Sequence, residues 1–238
     1  MIMDSGWRMA VIALPVVATL WMTRSGGIAQ AAGTPAQAAT LSPREALARL
    51  MTGNERFRKG EMLHPGQDGK QRQSLVGSQS PFAVILSCSD SRVPPAVVFD
   101  QGLGDLFVVR VAGNSVTRAG LESIDYAVDQ LGANLIMVLG HDSCGAVSGA
   151  VKECPSSGEK SSASLPEIFA NICPAVDRAR KASGDVLSRA IDLNVEDQVA
   201  ILKRSPQFEK RVKDGSLMIV GARYDLRTGK ARLLSPDN

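Results

Sequence analysis

Four short runs constrain this chain most: Phe82 to Ser87, Leu106 to Ala112, Asn134 to Gly140 and Ser216 to Ala222. Each is nearly continuous in Val, Ile, Leu, Met or Phe. That is the pattern of strands covered on both faces, because a strand with one wet face alternates apolar and polar residues. Helical patterns separate the runs: between the second and third, Leu121, Ile124, Val128 and Leu131 recur at spacings of 3, 4 and 3 residues. Strand and helix in alternation predict an α/β fold, a single domain with a mainly parallel central β-sheet flanked by helices. Upstream, Ser42-Pro43-Arg44-Glu45 starts a helix, with Ser42 as cap, Pro43 at the first helical position and Glu45 closing a capping box. Ala46, Leu47, Leu50, Met51 and Phe57 follow as its apolar stripe. Near the end, Thr228-Gly229 predicts a turn into a last short strand, with Arg227 and Arg232 on an exposed hairpin.

A length of 238 residues suits one sizeable domain, and 44% apolar with 21% charged residues is ordinary for a folded soluble protein. The net charge of +3 comes from scattered basic residues and leaves no footprint for nucleic acid. Residues 1–31 differ from the rest. Arg8 precedes the apolar run Ala10 to Met22, Thr23 and Arg24 end it, and Ala29-Gln30-Ala31 matches an A-x-A cleavage pattern. The run falls short of the ~20 residues a spanning helix needs. Residues 1–31 therefore predict a signal peptide. An uncleaved anchor is the alternative, and only that reading involves a membrane. Either one exports the remaining chain to a periplasm or the extracellular space. Residues 32–40 lack apolar periodicity and predict a flexible linker, which leaves 41–238 as the folded domain. Within it, 152–165 reads as a polar loop, followed by a helix-rich stretch to about Lys213.

Two segments carry chemistry. Cys88-Ser89-Asp90-Ser91-Arg92 follows the first strand directly, and His141-Asp142-Ser143-Cys144-Gly145 follows the third. In an open parallel sheet the carboxyl ends of the strands face the crevice where ligands bind, so both segments open onto one edge. Cys88, His141 and Cys144 supply two thiolates and an imidazole, a set that suits Zn2+ and leaves the fourth tetrahedral position open. Buried small residues, or a disulfide, would equally account for the two cysteines, but not for His141 and a charged pair at the same strand ends. Asp90 and Arg92 satisfy each other. An Asp90 held ionised can only accept hydrogen bonds, so it would orient a zinc-bound hydroxide toward substrate. The rival arrangement has Asp90 itself as fourth ligand in a closed site. Cys154 and Cys173 read either as a disulfide tying the polar loop to the next helix or as two unlinked thiols. Asp142 and Ser143 are partners of the site or solvated turn residues. His64, in a polar stretch flanked by Pro65-Gly66, reads as a surface residue rather than a proton shuttle.

Cys-x-Asp-x-Arg followed by His-x-x-Cys resembles the signature of β-class carbonic anhydrases. The resemblance runs from Ser42 to about Leu234 and includes Gly53-Asn54-Glu55-Arg56-Phe57, Gly104-Asp105-Leu106-Phe107, Arg110-Val111-Ala112-Gly113-Asn114 and Ile124-Asp125-Tyr126-Ala127-Val128. It implies Cys88, His141 and Cys144 as ligands of one zinc per subunit, and Asp90 with Arg92 as the catalytic dyad. It implies reversible hydration of carbon dioxide to bicarbonate by an enzyme with an N-terminal helical arm, working as a homodimer or larger assembly. Gln79 resembles a glutamine that donates to substrate in the plant-like subgroup. Phe107 and Tyr126 resemble the apolar wall around carbon dioxide, built across the dimer interface, and the Gly145 amide resembles a donor toward bicarbonate. The subgroup with a regulatory bicarbonate site has a tryptophan three residues before the first cysteine, where this chain has Ile85, so the resemblance favours the open site. A hydrolase of carbon disulfide or carbonyl sulfide, and a non-catalytic zinc-binding protein, are the alternatives.

Overall fold

A computed structural model describes residues 41–155 and 166–234. The signal peptide and linker expected over 1–40 lie outside the described residues, as do 156–165 of the polar loop. The elements, in chain order, are α1 (Pro43–Lys59), α2 (Gly69–Ser74), β1 (Ala83–Ser87), α3 (Pro95–Val98), β2 (Leu106–Arg110), α4 (Arg118–Asp129), β3 (Leu135–His141), α5 (Gly145–Glu153), α6 (Pro166–Lys181), α7 (Val186–Arg204), α8 (Pro206–Lys213), β4 (Met218–Tyr224) and β5 (Ala231–Leu233). The expected capping box is present: the Glu45 amide donates to Ser42 Oγ, and the Ser42 amide donates to Glu45 Oε2 at 2.7 Å.

The strands form one five-stranded sheet in the order β2-β1-β3-β4-β5. All neighbours are parallel except β4 and β5, which form the antiparallel closing hairpin. Both faces are covered at β1, β3 and most of β4, as continuous apolar strands require, whereas the edge strand β2 departs from that expectation and leaves Val108 exposed. Ile85, Leu135, Met137, Leu139 and Val220 join one buried cluster, with Leu50 of α1 and Phe169, Ile172 and Val176 of α6. Val84, Leu86, Ile136, Val138 and Ile219 join the other, with Ile124 and Val128 of α4 and Phe208 of α8.

The expected strand ends shift by one or two residues. The second strand stops at Arg110 rather than Ala112, because Ala112–Asn114 is a tight 3-10 turn with Gly113 at φ 66° and Asn114 at φ 46°. Leaving a strand this sharply takes residues that tolerate the left-handed region, and glycine and asparagine do so best. The third and fourth strands run on to His141 and Tyr224, so polar residues finish what apolar residues begin. From β1 the chain goes to one side for β2 and crosses to the other for β3. The crevice at the carboxyl ends of β1 and β3 is therefore the topological switch point, where ligands bind in such sheets.

Candidate metal centre

Register explains why the two chemical segments meet. Ser87 of β1 pairs with Leu139 of β3, so Cys88, one residue beyond Ser87, comes level with the end of β3 where His141 sits. Ser143, at φ 53°, turns the chain out of β3 and into α5, whose N-cap is Cys144. The ligand atoms of Cys88, His141 and Cys144 all lie within 4.8 Å of one another, and the two sulfurs are 4.0 Å apart. All three residues are buried, His141 completely.

The site's polarity suits a cation. His141 Nδ1 donates to the Asp142 carbonyl at 2.8 Å, an acceptor that fixes the tautomer and leaves the Nε2 lone pair facing the sulfurs. Nε2 is buried and has no hydrogen-bond partner, which a native interior avoids unless an ion or ligand completes it. Cys88 Sγ accepts from the Gly113 amide at 3.4 Å, and the amides of Asp90 beside Cys88, and of Val147 and Ala146 in the first turn of α5 beside Cys144, favour negative charge on the two sulfurs. The donor set of two sulfurs and one nitrogen fits zinc, with one tetrahedral position left for a small ligand. Without metal, the thiols share their protons unequally. The Cys144 thiol, the neighbouring His141 ring and the backbone amides favour thiolate at Cys88, and that neighbouring charge, with burial, drives the Cys144 thiol up. Burial works against a charged His141, but the Cys88 sulfur, the Asp142 carbonyl and the Asp90 charge outweigh it, so its pKa is raised.

Asp90 stands beside this cluster. Arg92 grips it with a fork, Nε to Oδ1 at 2.9 Å and Nη2 to Oδ2 at 2.7 Å, and the Arg92 amide adds a third bond at 2.9 Å. These bonds hold the Asp90 carboxyl well below the usual carboxylate range. Its Oδ2 lies 3.9 Å from His141 Nε2. Arg110, at the end of β2, donates to the backbone carbonyls of Cys88 and Asp90 and so pins the loop between them. Asp142 accepts an ion pair from Arg223 of β4, which also reaches Asp192 of α7, so it is not a solvated turn residue. Arg223 was not singled out from sequence, and Arg110 entered only as the first residue of the Arg110-Val111-Ala112-Gly113-Asn114 match, with no role given. Their position at the carboxyl ends of β2 and β4, the same sheet edge as the cysteines, was the available signal.

The described chain does not bring Gln79, Phe107 or Tyr126 to this cluster. Phe107 pairs in register with Val84, four residues before Cys88, and its ring lies 6.3 Å from that of Tyr126. Gln79 precedes β1 by four residues and is exposed. At about 3.3 Å per residue the Phe107 backbone lies on the order of 13 Å along the sheet from Cys88, and Tyr126 packs beside it. Gly145 is the first residue of α5, so its N–H has no acceptor within the helix. His64 is exposed, on the loop after α1, with its amide donating to Asp100. Cys154 and Cys173 form a disulfide between the end of α5 and α6.

Residues 83–231, which include both chemical segments, match the family model described as carbonic anhydrase. The chain belongs to the carbonic anhydrase family. It is 43% identical over 196 residues to carbonic anhydrase 2 of Mycobacterium tuberculosis, covering 81% of this chain and 93% of that one. Among solved structures it resembles the beta-carbonic anhydrase of Coccomyxa in complex with acetazolamide. That likeness has 30% identity and a TM-score of 0.60, over 68% of this chain and 75% of the other. It also resembles the beta-carbonic anhydrase CcaA, at 26% identity and a TM-score of 0.61, over 81% and 92% of the two chains. The carbonic anhydrase fold here is thus that of the β class, a mainly parallel five-stranded sheet flanked by helices.

Proposed function

We propose that this chain catalyses the reversible hydration of carbon dioxide to bicarbonate and a proton, with one zinc per subunit held by Cys88, His141 and Cys144. The observation that carries the reading is the buried, partnerless Nε2 of His141, converging with two sulfurs beside a carboxylate that Arg92 keeps ionised. Zinc, when bound, supplies a Lewis acid that makes water a nucleophile near neutral pH. Asp90 accepts a hydrogen bond from the attacking oxygen and fixes where its lone pair points. Arg92 keeps Asp90 in its acceptor-only form and away from the ligand set, which favours the open arrangement of the plant-like subgroup over a closed one. The Gly145 amide is placed to donate to a product oxygen. Gln79, Phe107 and Tyr126 serve the site of a second copy, so the working unit is a homodimer or larger.

We further propose export, cleaved after Ala31, to a periplasm or the extracellular space. The Cys154–Cys173 disulfide supports this, since disulfides persist in oxidising compartments. N-terminal sequencing of the protein recovered outside the cytoplasm should begin at Ala32; recovery only in the cytoplasm with residues 1–31 intact would refute export.

Stopped-flow hydration of carbon dioxide, with zinc content measured in parallel, tests the activity. Wild type should be fast and carry one zinc, Cys88→Ala should lose both, and Asp90→Asn should keep zinc while losing about a hundredfold in rate. Full zinc without carbon dioxide turnover would move the assignment to carbon disulfide or carbonyl sulfide, assayed in the same way.

A further inference from the structure

Asn194 and Gln198 sit one turn apart on α7, at 1% and 0% exposure, on a face otherwise made by Ile191, Val195 and Leu202. Two primary amides in such a place must find partners or carry a desolvation penalty. All their recorded partners lead to one loop. Asn194 Nδ2 donates to the Gly113 carbonyl at 2.8 Å. Gln198 Nε2 donates to Asn194 Oδ1 at 3.2 Å, which locks the Asn194 amide the right way round. Gln198 Oε1 accepts from the Val116 amide at 2.8 Å, so the pair grips the 113–116 segment at both ends. The other side of Gly113 faces the metal ligands: its N–H donates to Cys88 Sγ at 3.4 Å. A Cβ at Gly113 would stand 2.7 Å from Ile172 Cδ1, and the residue holds φ 66°, so the loop has one way to lie.

We propose that Asn194, oriented by Gln198, is a positioning residue for the metal ligand Cys88, acting by aiming the Gly113 N–H at the thiolate sulfur. The inference rests on the zinc reading above and adds to it helix α7, distant from the ligand loops in sequence. The peptide on one side of the Gly113 α-carbon is held by Asn194, and the peptide on the other side delivers the hydrogen bond. An N–H aimed at a thiolate withdraws density from the sulfur and lowers its donor level. Without it, Cys88 becomes more basic, more easily oxidised and less well placed.

Asn194→Leu keeps the branched outline, with somewhat more bulk, and removes the amide. Zinc affinity, measured by chelator competition on folded holoprotein, should fall about tenfold. In cobalt-substituted protein, the sulfur-to-cobalt charge-transfer band should move to lower energy, a shift that a loss of packing alone does not produce. Gln198→Met should move both in the same direction by less. In wild type loaded with cadmium, the Gly113 amide proton should show a scalar coupling to the metal through the sulfur. Should Asn194→Leu fail to fold, Gln198→Met and the cadmium coupling decide. An unshifted band and unchanged affinity in a folded variant, or no coupling to the Gly113 proton, would overturn the proposal. A wild type that takes up neither zinc nor cobalt would instead fail the metal reading on which it rests.

Discussion

Asp100 has no solvent exposure and sits at a left-handed φ of 45°. Burial alone would raise its pKa. The Leu63 amide, the Arg56 guanidinium and the His64 amide outweigh that and hold it below the usual carboxylate range. Because the folded value is the lower one, Asp100 stabilises the fold above the unfolded value of about 3.9 and loses that contribution as pH falls through the folded value. Asp100→Asn suits the same φ and removes only the charge. It should destabilise by about 3 kcal/mol near neutral pH, with the difference shrinking in acid; urea unfolding in both conditions checks this. A difference independent of pH would assign the loss to hydrogen bonds instead. At this scale the sequence was legible where residue type and strand end coincide, as at Cys88, Asp90, Arg92, His141 and Cys144. Asn194 and Gln198 were not legible, because polar residues on a helix ordinarily mark its wet face and only the tertiary packing of α7 buries them.

Helix α5 is held at both ends, with Cys144 as its N-cap and Cys154 as its C-cap, the latter joined to Cys173 of α6. Reduction, or Cys154→Ser with Cys173→Ser, removes a cross-link across a sequence separation of 19 residues. It should lower unfolding free energy by about 3 kcal/mol, read from urea midpoints with and without reductant. Helix α1 packs tightly against the α3 region. A Cβ at Gly53 would come within 1.8 Å of the Phe99 carbonyl oxygen, which is backbone and cannot swing away. Gly53→Ala should therefore cost about 3 kcal/mol in the same assay, whereas at an open helical site the same change gains up to about 1 kcal/mol. The strands were legible as elements because burial on both faces leaves unbroken apolar runs. Their ends were less so, since His141, Arg223 and Tyr224 continue the sheet with side chains that serve the edge. The order of the strands had no signal in periodicity. It matters here because β1 and β3 being neighbours is what joins the two chemical segments.

The molecule carries its ligand cluster at one end of the sheet and Gln79, Phe107 and Tyr126 toward the other. Strand β2 lies at the sheet edge with Val108 39% exposed, and Tyr126 beside it is 50% exposed, which is apolar surface that a second copy can cover. Tyr126→Glu should shift sedimentation toward monomer and lower carbon dioxide hydration together, with zinc content unchanged. A variant that stays assembled and fully active would separate that surface from the active unit. The four cysteines fall into two close couples, one bonded and one at a sulfur separation of 4.0 Å. A movement of about 2 Å would bring the second couple to bonding distance. Under the export and zinc binding proposed above, the metal would act as a protecting group, and maturation would be a race between zinc loading and air. Chain that folds before zinc arrives should accumulate as a metal-refractory form with both couples oxidised, visible as the loss of two hydrogen atoms relative to the chain with the Cys154–Cys173 bond alone, and recoverable only by reductant.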